Sequence, residues 1–370
     1  DGRADVYSLA IVLWELFTGR RPFEKQEVEG SWIGTLSEFT TERLSGVGRV
    51  AQRQLASCAP SGLCQVLMRC LAADREERFA DAGQLARQLQ LQRFPRLQRL
   101  LNPGPHSWQR WVAGWPLLFI SIAVLLPNIA LSALNLFYNI PQIVNRCPPL
   151  QQEIFYKSLT PVNGIIYGLA TAICIWYLWP VVSALSRLRS VGSVTPDQRA
   201  RLQQRALRVA TLVSWVVFIA WITSGFVFSL LMNLGDPEEA SKELYLHFLP
   251  SQFLHGIIVA SLSFMFVTFM MVRAVYPLFL ADESDRMRVT SALDHARRFT
   301  NLYAAALGFA PLLAIVALAV LGSDKAYFIV LAILGAFGFL IALLLKPIIH
   351  TDLDEIELAV RPHDQLLAMS

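Results

Sequence analysis

The 370-residue sequence is 54% apolar and only 16% charged, and its mean hydropathy is +0.44; soluble chains of ordinary composition are about one quarter charged. These values exclude a wholly soluble globular fold, and they exclude a disordered chain, which needs few apolar residues and a high net charge. The surplus of 32 basic over 28 acidic residues, +4, is too small to indicate a nucleic-acid binder. Charge is also unevenly spread: 27 charged residues fall in positions 1–115 and 33 in the remaining 255. The composition therefore divides near Trp115 into a soluble part and a membrane part. Cys58, Cys64, Cys70, Cys147 and Cys174 form no CxxC pair and no metal-ligand spacing, and read as buried or idle thiols.

The first predicted element is a helix of about a dozen residues from Asp5 to Thr18, with a carboxylate near its positive end and Gly19 as its stop. It is apolar on almost every face and too short to span a bilayer, so it belongs at the centre of a larger helical domain. The partners of its other faces are expected outside these 370 residues, and a start on Asp1 without Met reads as a fragment.

Two motifs carry a resemblance. The first is Asp5-Val6-Tyr7-Ser8-Leu9, Leu13-Trp14-Glu15-Leu16 and Thr18-Gly19-Arg20-Arg21-Pro22-Phe23. The second, Leu67 to Phe79, contains Leu71-x-x-Asp74-x-x-x-Arg78-Phe79 and leads into Asp81, Ala82 and Leu85 of a terminal helix. Together they resemble the C-lobe of the protein kinases, from its central helix onward, and are closest to the bacterial eukaryotic-like Ser/Thr kinases. The likeness covers about residues 1–92. It implies that Asp5 accepts backbone amide bonds from a catalytic loop and that Arg78 pairs with a buried glutamate upstream of Asp1. It also marks Trp14, Gly19 and Pro22 as structural residues of the lobe. Ala10 and Arg75 depart from the usual glycine and proline. Residues 24–60, with Trp32, Ile33, Leu36 and Phe39, read either as lobe packing or as a docking or dimerisation surface that would make a homodimer.

No GxGxxG, His-Arg-Asp or Asp-Phe-Gly occurs in the sequence, so the phosphate-binding and catalytic parts of such an enzyme are missing here. No catalytic, cofactor or metal residue is assigned. ATP and Mg²⁺ are expected only for a complete parent, with the missing N-terminal kinase portion and protein substrates as its partners.

Residues 93–115 follow as a basic juxtamembrane linker. Across Arg87–Leu101, Leu89, Phe94, Leu97, Leu100 and Leu101 are interleaved with Arg93, Arg96 and Arg99. The stretch reads either as a segment lying on anionic lipid or as a last lobe helix plus a solvated linker. Trp108, Trp111 and Trp115 suit the headgroup layer.

Six charge-free stretches then predict transmembrane helices at 116–138, 162–186, 208–232, 252–280, 302–322 and 326–346, with a cytoplasmic tail at 347–370. Fifteen basic residues gather on one side, many of them in a basic connection at 187–208, and four on the other: Arg146, Lys157, Lys242 and Lys325. This bias predicts both termini in the cytoplasm and an even number of spans, with the lipid bilayer as a partner; the resemblance to bacterial kinases implies a multi-pass protein of the plasma (inner) membrane. Within the spans, Asn128, Asn135, Asn163 and His255 are polar; His255 reads as a helix-contact residue and Arg273 as a side chain reaching the cytoplasmic face.

The fold expected is all-α: a partial kinase C-lobe and a six-helix membrane bundle that anchors or senses. Two other readings stay open, a six-span transporter or channel with a regulatory kinase-like lobe and a membrane pseudokinase scaffold.

Overall fold

The computed structural model describes residues 2–23, 32–104, 106–190, 195–239, 242–280, 286–321 and 325–360. Among them every regular element is helical, and the chain divides into two units at Asn102 and Pro103.

The first unit holds α1 (Gly2–Thr18), α2 (Trp32–Ser45), α3 (Arg49–Cys58), α4 (Ser61–Cys70), α5 (Ala82–Leu91) and α6 (Pro95–Leu101), with one 3-10 turn at Arg75–Glu77. Helix α1 begins three residues before Asp5. It ends where Gly19 takes a φ of 70°, a left-handed conformation that a side chain would strain. There the Gly19 amide donates to the Glu15 carbonyl at 2.8 Å, and the Thr18 hydroxyl donates to the Trp14 carbonyl at 2.9 Å. Val6, Ala10 and Trp14, spaced by four, form a single buried stripe, and α1 packs on α3, α4 and α5. The opposite stripe is open: Leu9, Val12, Leu16 and Phe17 are exposed. The core is completed by Leu55, Leu67, Leu71, Phe79 and Leu85.

Local capping sets the second half of this unit. Asp74 accepts from the Glu76 amide at 2.8 Å to start the 3-10 turn, and Asp81 accepts from the Gln84 amide at 2.8 Å to start α5. The basic amphipathic stretch is two helices, not one rod. Helix α5 stops at Leu91, and α6 restarts at Pro95, where a proline loses nothing because its amide would be unsatisfied anyway. Leu97 and Leu100 are buried.

The second unit holds α7 (Trp108–Gly114) and six long helices: α8 (Pro116–Gln142), α9 (Pro149–Ser190), α10 (Pro196–Gly235), α11 (Lys242–Met270), α12 (Arg286–Leu321) and α13 (Lys325–Ala359). All six are long and apolar enough to cross a membrane. Their surface supports that environment, because large apolar side chains such as Leu126, Phe137, Trp176 and Leu344 point outward. Asn135, Asn139, Gln252 and His255 are buried inside. Water would oppose that distribution, whereas lipid requires it. The chain is a multi-pass membrane protein.

Helix α11 is the centre: 72% of its most apolar stretch is buried, against 11% for α9. It packs on α8, α10, α12 and α13. Glycines let α12 and α13 approach closely. A Cβ at Gly335 would sit 3.2 Å from the Pro311 backbone nitrogen, and one at Gly338 would sit 3.0 Å from Leu307.

The helices outrun the predicted spans at several ends. The connection expected at 187–208 is mostly helix, since α9 runs to Ser190 and α10 starts at Pro196. Most of the expected tail is also helix, because α13 continues to Ala359 with Ile349, Leu353 and Ile356 buried. The fourth predicted span covers most of α11, then a π-helical turn at Met271–Val275 and a 3-10 turn at Tyr276–Phe279.

Candidate functional site

The lobe residues named by the resemblance fall into distinct settings. Trp14 is 1% exposed and Pro22 is buried, as core residues. Asp5 lies exposed in the first turn of α1. The Arg78 guanidinium donates through Nε to the Ala72 carbonyl at 2.8 Å and through Nη2 to the Ala73 carbonyl at 3.4 Å. It also lies 4.4 Å from the centre of the Tyr7 ring, and Tyr7 stacks on Phe23 at 6.4 Å. The two motifs therefore meet around Tyr7, a contact the sequence did not announce. A second link joins Arg3 to Glu76 at 3.0 Å. Burial raises the Tyr7 hydroxyl above its ordinary pKa, against the nearby charges of Arg43 and Arg78.

Two thiols of this unit, Cys64 and Cys70, are not poised for nucleophilic chemistry. Burial pushes Cys70 up to about 12 and also raises Cys64. Among the described residues no group of three His, Cys, Asp or Glu side chains is placed to hold a metal ion. Nothing among them fits the ATP–Mg²⁺ group that the resemblance implies for a complete enzyme, so no phosphoryl-transfer step is derived from this chain.

The bundle carries the second candidate region, a polar network in its interior. Asn135 of α8 donates to the Ser251 hydroxyl at 2.9 Å. Its carbonyl oxygen accepts from Gln252 at 3.0 Å and from Asn139 at 2.8 Å. His255 Nδ1 is 2.8 Å from the Ser251 carbonyl. A carbonyl only accepts, so Nδ1 carries the proton and Nε2 is the acceptor. The Tyr327 hydroxyl, at the start of α13, lies 3.3 Å from Nε2 and 3.1 Å from the Ser251 hydroxyl. The rings are also layered: His255 on Trp221 at 5.4 Å, and Tyr138 on Tyr327 at 3.6 Å. Trp221 in turn donates to Asn128 at 3.0 Å. Two of the predicted polar residues, Asn135 and His255, are thus in one network. Asn139, Ser251, Gln252 and Tyr327 were missed, although Asn135/Asn139 and Ser251/His255 each share a helix face at a spacing of four.

A third cluster lies around the π-helical turn. Arg273 does not simply reach toward the cytoplasmic face: its Nε is 2.8 Å from Oδ2 of Asp352, which is 0% exposed on α13. The guanidinium also lies 5.1 Å from the Phe269 ring. Nearby, Arg297 of α12 contacts Asp294 at 2.9 Å and both Asp354 and Glu357 at 2.8 Å. Gln203 of α10 donates at 2.7 Å to the Phe279 carbonyl, which follows the broken helix. These contacts bind α10, α12, α13 and the two turns that follow α11 together at the arginine-rich ends.

Comparison with known proteins adds no relative: no protein-family model matches the chain, and neither a curated protein nor a solved structure is similar to it.

Proposed function

We propose that the chain is the C-terminal part of a membrane-bound Ser/Thr protein kinase, with the six-helix bundle as its anchor and sensor. The parent would transfer the ATP γ-phosphate to protein Ser/Thr hydroxyls in signal transduction. The observation that carries this reading is the ordered motif pair, Asp5 to Phe23 and Leu71 to Phe79. The fold supports it in one respect. Trp14 from the first motif and Phe79 from the second share one hydrophobic core around α1, as a central helix in such a lobe requires. The phosphate-binding and catalytic residues would come from sequence preceding Asp1. The basic-residue bias supports cytoplasmic termini, and the resemblance to bacterial kinases supports the plasma membrane.

The test is phosphate transfer by the full-length parent in nanodiscs supplied with ATP and Mg²⁺. Incorporation into protein Ser/Thr, lost on removing the catalytic aspartate, is expected. An upstream sequence lacking the strand lysine, the catalytic aspartate and the Asp-Phe-Gly aspartate would overturn the enzyme reading in favour of a scaffold. One observation favours a second reading: the buried amide network of α8 and α11 is the kind of polar interior a carrier uses. Solute flux through the bundle in proteoliposomes would favour the transporter with a regulatory lobe.

A further inference from the structure

Beside the Asn135 network lies a cavity of about 200 Å³ bounded by α8, α9, α10 and α11. Its polar wall includes Asn135, Asn139, Gln252 and the Asn163 expected from the sequence, with Ser132, Ser224 and Tyr167 beside them; its apolar wall includes Phe155, Trp221 and Phe228. Asn139 is 3% exposed. Its Nδ2 is committed to Asn135, whose own orientation is fixed by the bond it donates to Ser251. That leaves Asn139 Oδ1 buried with no hydrogen-bond partner among the described residues. A buried acceptor left so is unfavourable by about 1–3 kcal/mol until something donates to it.

We propose that this cavity is a binding site for a small uncharged molecule with one hydrogen-bond donor on an apolar, ring-sized body. The donor is assigned to Asn139 Oδ1 and the body to the Phe155, Phe228 and Trp221 wall. Among the described residues no Asp, Glu, Lys or Arg lines the space, so a charged ligand would be buried there without a counter-charge. The volume is below the roughly 300–1,000 Å³ of sites for drug-sized ligands, which limits the occupant to a small one. An acyl chain would fill the space but leave Asn139 Oδ1 unmet. The cavity uses the C-terminal parts of α8 and α10 and the N-terminal parts of α9 and α11, the ends that carry few basic residues. Ligand would therefore reach it from the arginine-poor side. The proposal deepens the sensor role of the bundle and rests on the membrane-spanning bundle alone, not on the kinase resemblance.

The test uses the full chain in lipid nanodiscs and two probes, 4-fluorophenol and 4-fluoroanisole, followed by ¹⁹F NMR. The two are similar in shape, but only the phenol donates a hydrogen bond. Saturable phenol binding, about tenfold tighter than anisole binding, is expected from one buried hydrogen bond. Asn139→Leu should weaken phenol about tenfold and leave anisole unchanged, and Ser224→Phe should exclude both. Non-saturable uptake equal for the two probes, as lipid partitioning or a merely hydrated cavity would give, overturns the site. That comparison needs no variant, so it holds even where a substitution misfolds. Saturable binding with no change in phosphate transfer by the full-length parent keeps the site and overturns only its coupling to a kinase.

Discussion

Removing one member of the Arg273–Asp352 pair should cripple the bundle, and removing both should restore most of its stability. At 2.8 Å the mutual attraction is about 6 kcal/mol for an effective dielectric of about 20. Loss of hydration by both groups offsets much of this, so the intact pair contributes little net stability. Breaking it is different, because the surviving charge keeps its desolvation penalty without its partner, typically about 3–5 kcal/mol. The two sides are unequal. Asp352 is 0% exposed whereas the Arg273 side chain is 25% exposed, so an orphaned arginine can move its head toward water and an orphaned aspartate cannot. Arg273→Met is therefore expected to lose about 3 kcal/mol or more, Asp352→Leu about 1–2 kcal/mol, and the double variant only about 1 kcal/mol, less than the sum by about 3 kcal/mol. Reversible unfolding in bicelles, monitored by helical circular dichroism across this double-mutant cycle, measures all three. Additive losses, or single losses under about 0.5 kcal/mol as at exposed sites, would refute the buried-pair argument.

In the first unit, Trp14→Ala should destabilise by about 3–5 kcal/mol, since it empties the largest buried side chain of the α1 stripe; thermal unfolding reads the loss. Gly19→Ala forces a side chain into φ 70° and should lower stability by about 1–2 kcal/mol, whereas Gly104→Ala, with open space around its Cβ position, should not. Cys70, raised to about 12 by burial, should resist iodoacetamide at pH 8 while exposed Cys58 reacts; mass spectrometry of the tryptic peptides separates them. The same raised value has a sign for stability. The folded state holds the Cys70 proton more tightly, so its contribution is full below the ordinary value of 9.0 and is lost as pH rises toward 12. Gly335→Val places a side chain against the Pro311 backbone, which cannot rotate away, and should push α12 from α13; weaker disulfide trapping between cysteines introduced on the two helices would report it.

The six membrane helices were legible because lipid imposes its demand on the chain locally. A span must be long, apolar and hydrogen-bonded within itself, whatever it packs against. The end of α1 was legible for a similar reason, since Gly19 acts on its own turn. The kinase resemblance names Trp14 as a structural residue of the lobe, but that it shares one core with Phe79 is seen only in the fold. The sequence could not choose which face of α1 would be buried, because every face was apolar enough and only the positions of α3, α4 and α5 select Val6, Ala10 and Trp14. The interior polar network was hidden for another reason. Asn135 meets Ser251 and Gln252 from 116 and 117 residues away, and no local pattern encodes that meeting. The sequence puts Asp352 in a tail beyond the last charge-free stretch, and only the packing of α13 beside the π-helical turn buries it against Arg273. What the sequence determined by itself was the solvent of each segment. Which polar groups face one another inside the bundle, and which acceptor is left open, was decided only by how the helices pack.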